Sequence, residues 1–197
     1  MKLKIVQAGH PVLRQTSRPL SADEIKSAST KQLIELMRDT MRDAPGVGLA
    51  APQIGVSIQL AVIEDRPEYL RDIPSAYLKE LERSPVPFHV IINPKVTVLE
   101  DSSAEFFEGC LSVMGFAALV RRPTRIRVEY LDEQAKALTV EARGWYARIL
   151  QHEIDHLNGR LYVDRMEPRS FSTGDNLSRF WQQENIEQVR AELKIKS

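Results

Sequence analysis

The spacing of apolar residues along the chain predicts two amphipathic helices. In residues 31–43, leucine and methionine recur at helical spacing, with Ser29 or Thr30 as the candidate cap. Residues 145–158 show a second helical pattern, and the glycine that follows, Gly159, is a typical left-handed helix stop. Each helix therefore has an apolar face to bury, and a long middle region separates the two.

The middle of the chain predicts mostly sheet, because β-branched residues dominate it and several segments alternate in polarity. The predicted strands are 57–64, 88–94, 95–100, 125–131 and 137–142. The proline-rich residues 65–87 predict a surface excursion that holds at most a short helix at 76–83. The polar residues 175–194 have helical periodicity, and we expect them to lie on the surface.

Composition and charge exclude several classes of protein. The 197 residues are 43% hydrophobic, which is ordinary for a globular domain, and 27 basic residues balance 27 acidic ones. No global field would attract nucleic acid or a membrane surface, and no run approaches the roughly 20 apolar residues of a membrane span. The N-terminus reads as neither a secretory signal nor a transit peptide. We expect a soluble protein in which the single cysteine, Cys110, forms no internal disulfide.

The stretch QHEIDHLNG at 151–159 carries the first candidate chemistry. His152 and His156 lie four residues apart on a predicted helix, so both imidazoles project from one face and can bind the same ion. Glu153 projects to the side, where it can reach a water molecule on that ion. A buried histidine beside an exposed one would explain the spacing without a metal, but three functional residues in five positions favour a metal site.

A catalytic metal usually has three protein ligands and one open position, so a third ligand is required. The extended histidine motif of one protease class would place a histidine where this chain has Tyr162. A protease of the thermolysin type would use a downstream glutamate, such as Glu167, Glu184 or Glu187. The remaining candidate is Cys110, between a glycine and a leucine in EGCLS, although a lone buried cysteine is most often a packing residue.

Three stretches together resemble the peptide deformylase family. They are GVGLAAPQIG at 46–55, EGCLS at 108–112 and QHEIDHLNG at 151–159, and the similarity runs from about Gly9 to Pro168. The resemblance implies an α+β fold, with mixed or antiparallel sheets packed around the helix that carries HExxH. It also implies a catalytic domain at 1–170, followed by a polar, helical tail at 171–197.

The resemblance assigns roles to residues of this chain. The implied metal ligands are Cys110, His152 and His156. The implied catalytic groups are Glu153 as general acid and base, with the Gln53 side chain and the Leu111 amide as oxyanion donors. The implied substrate-binding residues are Val47, Gly48, Gly109, Arg148 and Ile149; among them Val47, Ile149 and the stem of Arg148 line a methionine pocket.

The implied activity is removal of the formyl group from N-terminal formyl-methionine of new polypeptides, with these peptides and the ribosome as candidate partners. The ligand types alone favour Zn²⁺, whereas the resemblance implies Fe²⁺, with Ni²⁺ or Co²⁺ as durable substitutes. Two alternatives remain: a zinc peptidase with a glutamate ligand, and an inactive homologue that serves as a binding module. The expected location is the bacterial cytoplasm or, second, an organellar matrix after removal of a transit peptide.

This chain departs from the common bacterial pattern at two positions. Pro52 stands before the motif glutamine, where threonine or serine is usual, and Ala117 stands where many bacterial relatives carry an arginine. The stretch SVMGF at 112–116 and the proline-rich excursion at 65–87 resemble the organelle-type branch, which also occurs in bacteria. Arg122 does match a family arginine, and we expect it to pair with Glu108 and support the cysteine loop.

Overall fold

The computed structural model describes residues 2–182 and 184–196. Its helices are α1 (Ala22–Lys26), α2 (Ala28–Asp43), α3 (Ser75–Glu80), α4 (Gly144–Leu157), α5 (Gly174–Asn176) and α6 (Ile186–Glu192). Its strands are β1 (Gly48–Ala50), β2 (Leu60–Asp65), β3 (Val86–Val98), β4 (Ser103–Cys110), β5 (Val113–Pro123), β6 (Arg125–Leu131), β7 (Ala137–Arg143) and β8 (Ser172–Thr173). The α+β class expected from the resemblance is confirmed.

The strands form two sheets. Five strands pair in the order β1-β2-β3-β6-β7, and three pair in the order β4-β5-β8. Every strand pair within both sheets is antiparallel, so the alternative of mixed sheets is wrong. A parallel pairing occurs only as an isolated bridge between Arg18 and Ile58, among the described residues.

Strand β2 of the five-stranded sheet is buried on both faces. Leu60 and Val62 pack into one apolar cluster with residues of α2, while Ala61 and Ile63 pack into another with residues of α4. Successive side chains of a strand point to opposite faces. A continuous apolar run is therefore what a strand between two helical layers requires, and β2 has one.

Helix α4 occupies the position that builds the site. It contacts β1, β2, β3, β6 and β7 of the larger sheet and also β5 of the smaller one. Its apolar residues Leu150, Ile154 and Leu157 are buried in the core between these layers. The helix ends before Gly159, whose φ of +71° is the left-handed conformation expected from the sequence. The helix predicted at 145–158 is thus confirmed, with a shift of one residue.

Several strand predictions need correction. The segments 88–94 and 95–100 form one strand, β3, which continues through an irregularity between Ile92 and Lys95, where Asn93 has a φ of +51°. Strand β2 begins at Leu60, three residues after the predicted start at 57. Strands β1, β4 and β5 were not predicted, and β4 and β5 form the hairpin on which the cysteine lies.

Two helical regions also differ from expectation. Helix α2 begins at Ala28 rather than Lys31, because Ser27 ends α1 and caps α2 by accepting a hydrogen bond from the Thr30 amide. The excursion at 65–87 contains the short helix α3 at 75–80, earlier than the predicted 76–83. It is held to the core by a buried ion pair between Asp65 and Arg83, at 2.8 Å.

The described part of the tail is not one surface helix. It contains the short strand β8, a brief helical segment and the separate helix α6. Val189 and Ile195 are buried against Leu119 of β5, while β8 pairs with β5 at Phe116 and Ala117. The tail therefore packs against the smaller sheet. It can do so because a few apolar residues stand within its otherwise polar sequence.

Among the described residues, no helix is both long enough and apolar enough to cross a membrane.

Candidate active site

Three potential metal ligands meet at one point. The Sγ atom of Cys110 and one ring nitrogen each of His152 and His156 all lie within 4.8 Å of one another. The Cys110 Sγ atom is 3.3 Å from Nε2 of His156. One thiolate and two imidazoles form a donor set that suits a divalent transition metal with a further position open to water. The three ligands inferred from the resemblance are thus brought together.

The two sides of this cluster come from different layers. The histidines project from α4 one turn apart, and the cysteine is the last residue of β4. The β4–β5 pairing shifts register between Gly109 and Cys110. A register shift of this kind disrupts the pairing locally and can re-aim a side chain, and here it lies directly beside the cysteine. A metal held at this point would therefore join α4 to the β4–β5 hairpin.

The buried carboxylate of Glu108 holds His152 in place. Its Oε2 atom is 3.0 Å from Nδ1 of His152, which leaves Nε2 of that ring for a metal. Arg122 donates to both oxygens, at 2.6 and 2.9 Å, so the expected pair between Arg122 and Glu108 is present. Burial raises the pKa of Glu108, but hydrogen bonds from His152 and Arg122 outweigh it and hold the pKa well below its usual value.

The charge network extends beyond the pair expected from the sequence. Arg122 also donates to Asp155 on α4, at 2.8 Å, and Asp155 accepts a two-pronged contact from Arg165, at 2.8 and 2.9 Å. Arg148 donates to Glu108, at 2.6 Å. These three contacts were not predicted. Asp155 lies three residues after His152 in the stretch QHEIDHLNG, and this helical spacing was the only feature of the sequence that could have indicated its role.

Glu153 faces the same cavity from a dry environment. The residue is 3% exposed, and its Oε2 atom has no hydrogen-bond partner among the described residues. Burial raises the pKa of its carboxyl group to about 7. A carboxyl group with such a pKa can both accept and release a proton near neutral pH. The unpartnered oxygen fits a site that receives water or substrate.

Gly48 makes room for this glutamate. A Cβ atom built at Gly48 would lie 2.2 Å from Oε1 of Glu153. Any side chain at this position would therefore displace the carboxylate. The glycine is needed for close approach of β1 to α4, which explains one glycine of the GVGLAAPQIG stretch in physical terms.

The side chain of Gln53 is aimed at the cysteine. Its Oε1 atom accepts a hydrogen bond from the Ala50 amide, at 2.8 Å. Its Nε2 atom donates to Cys110 Sγ, at 3.5 Å, and to Ser112 Oγ, at 3.3 Å. Because the amide of Ala50 fixes the orientation, the donor end points into the site. Leu111, whose amide is the other candidate oxyanion donor, borders the same cavity.

The two histidines differ in their electrostatic surroundings. Burial lowers the pKa of His156 well below its usual value, so this ring is neutral and able to bind a metal. Burial also acts to lower the pKa of His152, but hydrogen bonds with Cys110 and Glu108 outweigh it and raise the pKa well above its usual value. A metal that binds here must displace that proton, so binding is expected to release protons.

A cavity of about 690 Å³ opens onto these groups. The five residues predicted to bind substrate, Val47, Gly48, Gly109, Arg148 and Ile149, all line it. The walls also include Met114 and Phe116 of β5 and Trp145 of α4, which sequence reasoning missed. Phe116 stacks on Phe171 of the tail, with ring centres 4.9 Å apart. The tail thus supports one wall of the cavity.

The proposed glutamate ligands of a peptidase do not join the cluster. Among the described residues, the ligand group around the two histidines contains Cys110 and none of Glu167, Glu184 and Glu187. Glu184 and Glu187 are exposed on the tail. This arrangement favours a cysteine ligand over the thermolysin-type alternative.

The fold and the site define an α+β enzyme with a candidate metal centre between a helix and a β-hairpin. The family model for polypeptide deformylase matches residues 2–172. The chain belongs to the polypeptide deformylase family, whose named members are hydrolases.

Individual relatives agree with this assignment. The chain is 51% identical to the chloroplastic peptide deformylase 1A of Solanum lycopersicum over 88% of its own length and 62% of that relative. It is 44% identical to peptide deformylase 3 of Streptomyces avermitilis, over 97% of this chain and 83% of that one. The chain therefore spans less than two thirds of the plant relative and most of the bacterial one.

Solved structures share the fold. A class I type b peptide deformylase from Acinetobacter baumannii with Met-Ala-Ser bound has a TM-score of 0.75 at 32% identity, covering 84% of this chain and 99% of that one. A peptide deformylase from Synechococcus elongatus in complex with actinonin has a TM-score of 0.70 at 39% identity, covering 84% and 79%.

Replacement of the cysteine tests the metal centre. We expect Cys110→Ser to weaken binding of Ni²⁺, Co²⁺ and Fe²⁺ by more than about 100-fold, because a hydroxyl that stays protonated replaces a soft thiolate. Competition against a chelator measures the affinity. Met114→Ser, at a 73% exposed position of the same hairpin, is the control and should bind like the wild type. Unchanged metal content in Cys110→Ser would remove Cys110 from the ligand set.

Proposed function

We propose that this protein hydrolyses the formamide of N-terminal formyl-methionine in newly synthesised polypeptides and releases formate. The observation that carries the proposal is the convergence of Cys110, His152 and His156 at one point, beside a cavity lined by Cys110, His152 and Glu153. The Acinetobacter relative was solved with Met-Ala-Ser bound, a tripeptide with the N-terminus that such a reaction would leave. This supports a methionyl peptide as the product here.

The ligand set explains why water would attack at neutral pH. Cys110, His152 and His156 would hold a divalent ion, which when bound would supply a more acidic water and polarisation of the formyl carbonyl group. Glu153 takes the proton from the attacking water as the new C–O bond forms. It then gives that proton to the amine nitrogen as the C–N bond breaks, leaving formate and a free N-terminus. Its buried carboxyl, with a pKa raised to about 7, suits both transfers.

Two donors of this chain would stabilise the charge on the formyl oxygen. The Nε2 group of Gln53 is turned toward the cysteine because Oε1 is held by the Ala50 amide. The Leu111 amide lies in the chain directly after Cys110. Pre-oriented donors cost no reorganisation as charge develops, and losing one typically lowers the rate by about 10²–10³-fold.

The peptide would bind beside β1. This strand is the edge of the five-stranded sheet and pairs only with β2 within it. An extended peptide can add to such an edge through main-chain hydrogen bonds. Val47 and Gly48 line the cavity at this edge, so a peptide bound there would bring its N-terminus to Glu153.

The methionine side chain would enter the apolar part of the cavity. Val47, Ile149 and Arg148 line it, and Ile149 is 3% exposed. An unbranched thioether fits such a slot at little cost, whereas an aspartate or lysine would lose its hydration without a partner. The pocket therefore favours methionine at the first position.

Ferrous iron is the proposed physiological metal, although the ligand types alone would also suit zinc. Nickel and cobalt are the proposed durable substitutes. We further propose that the protein acts where translation begins with formyl-methionine, on chains emerging from the ribosome. That place is the bacterial cytoplasm or, as the second choice, an organellar matrix; the relatives include bacterial and chloroplastic proteins.

Release of formate tests the reaction and its substrate. Formyl-Met-Ala-Ser should be hydrolysed with a kcat/KM at least about tenfold above that of formyl-Asp-Ala-Ser, because the pocket would bury an unpaired charge. The unformylated peptide is the control and should stay intact, which separates a deformylase from a peptidase. Comparable turnover of both formylated peptides would contradict the methionine pocket, and cleavage of internal peptide bonds would contradict the reaction.

Glu153→Gln separates catalysis from metal binding. The amide keeps the size of the side chain but cannot accept a proton, so kcat should fall by at least about 10²–10⁴-fold with the metal retained. Formate release and metal analysis on the same sample measure both. Glu192→Gln, an exposed substitution on α6, is the matched control and should remain fully active. Full activity in Glu153→Gln would exclude Glu153 as the base.

The identity of the metal can be tested by reconstitution. Protein loaded anaerobically with Fe²⁺ should be the most active form and should lose activity in air, because oxygen can oxidise the iron and the thiolate of Cys110. The Ni²⁺ and Co²⁺ forms should keep their activity in air. Formate release before and after aeration measures the decay. A zinc form as active as the iron form would argue against iron.

A further inference from the structure

Arg148 joins the substrate cavity to the metal ligands. It lies one helical turn before His152 and two turns before His156, so all three project from the same side of α4. Arg148 borders the cavity, as the sequence predicted, yet the residue is only 5% exposed. Its charged head is therefore directed into the protein and not toward a ligand in the cavity.

The guanidinium is bound to the β4–β5 hairpin at several points. It donates to Glu108 Oε1 at 2.6 Å and to the backbone oxygens of Val120 and Ala104, at 2.9 and 2.8 Å. It also lies over the ring of Phe106, at 5.2 Å from the ring centre. These contacts connect α4, which carries the histidines, to the hairpin whose first strand, β4, ends at the cysteine.

The contact with Glu108 completes the hydrogen bonding of that carboxylate. Two carboxylate oxygens offer about four acceptor sites. Oε1 accepts from Arg122 and Arg148, while Oε2 accepts from Arg122 and pairs with His152. All four sites are therefore used, and the carboxylate has a single orientation. That orientation determines where Nδ1 of His152 points, and so where the other ring nitrogen lies.

Arg148 and Arg165 occupy corresponding places in the network of buried charges. Among the described residues, only Arg122 contacts both Glu108 and Asp155. Each carboxylate then has one further arginine, which is Arg148 for Glu108 and Arg165 for Asp155. Arg165 makes a two-pronged contact like that of Arg122, but it touches neither a metal ligand nor the cavity. The two outer arginines therefore correspond in their carboxylate contacts, although the side chain of Arg148 is 6% exposed and that of Arg165 is 40% exposed.

We propose that Arg148 is a positioning residue, which acts through Glu108 to orient His152 and so couples metal affinity to the wall of the substrate cavity. Its part in substrate binding rests on the proposed function, but its part in metal binding does not. The sequence assigned Arg148 a role through its stem alone; the structure adds a role for its head.

The test compares Arg148→Met, which keeps an unbranched stem but loses the head, with Arg165→Met. Full-length protein is stripped of metal and titrated with Ni²⁺ against a competing chelator, with no substrate present. Arg148→Met should lower the Ni²⁺ affinity about 10- to 100-fold, the usual effect of losing a partner that orients a ligand. Arg165→Met should change it less than about threefold, although both variants lose a charge from the buried network. Urea unfolding of the metal-free proteins records that shared loss.

A conservative pair covers the case in which Arg148→Met does not fold. Arg148→Lys keeps the charge without the planar fork. Its Ni²⁺ affinity should therefore lie between that of the wild type and that of Arg148→Met. Arg165→Lys should bind Ni²⁺ like wild type. The Co²⁺ absorption spectrum, which reports the ligand geometry, should change in Arg148→Lys and not in Arg165→Lys.

Several outcomes would overturn the inference. Unchanged Ni²⁺ affinity in the Arg148 variants, with a raised KM for formyl-Met-Ala-Ser, would make Arg148 a wall residue only. Equal loss of affinity in the Arg148 and Arg165 variants would make its effect a general consequence of a damaged network. If instead wild type binds Ni²⁺, the affinities follow the expected order and no protein releases formate, the proposed function fails while the role of Arg148 stands.

Discussion

The buried carboxylate of Glu108 is the contact on which the site depends. It lies on β4, receives Arg122 from β5, and is bonded to Arg148 and His152 from α4. Glu108 thus links the hairpin to helix α4 at two points, one of them a candidate metal ligand, His152, and the other Arg148. A charged contact in the core therefore acts together with the apolar packing of the two layers in placing the cysteine beside the histidines.

Such a network is costly and strict in its geometry. Removing charges from water carries a penalty of several kcal/mol per ion, and a buried pair that loses one partner typically costs about 3–5 kcal/mol. The penalty is offset here because each carboxylate accepts from two arginines with near-ideal distances. Apolar residues of similar volume could hold the layers together as strongly, but they would leave the direction of the His152 ring open.

The sequence predicted which residues come together at the site better than it predicted the architecture around them. The spacing of His152 and His156 defines one helix face whatever the surrounding fold, so that prediction needed no tertiary information. Cys110 could be chosen over the downstream glutamates only through the resemblance, because residues far apart in sequence meet only after folding. The direction of the Arg148 head was not predictable, since the same side chain can reach a cavity or a buried carboxylate.

The missed elements have a common physical reason. Strands β4 and β5 are interrupted by glycine and by the register shift at Cys110, so their alternation is weak in the sequence. The tail reads as polar, yet Val189 and Ile195 fill a gap against Leu119. Two or three apolar residues are enough to dock a short helix, but they are too few to produce a pattern.

Helix α4 carries Arg148, His152, Glu153, Asp155 and His156 within nine positions. Loss or gain of a single residue inside this stretch would rotate everything beyond it by about 100°. The candidate ligands, the candidate base and the charge network would then be separated in one step. The helix therefore tolerates change in the identity of its outward residues but not in its length, whereas a strand connection away from the site, such as the one between β6 and β7, can accept insertions without disturbing it.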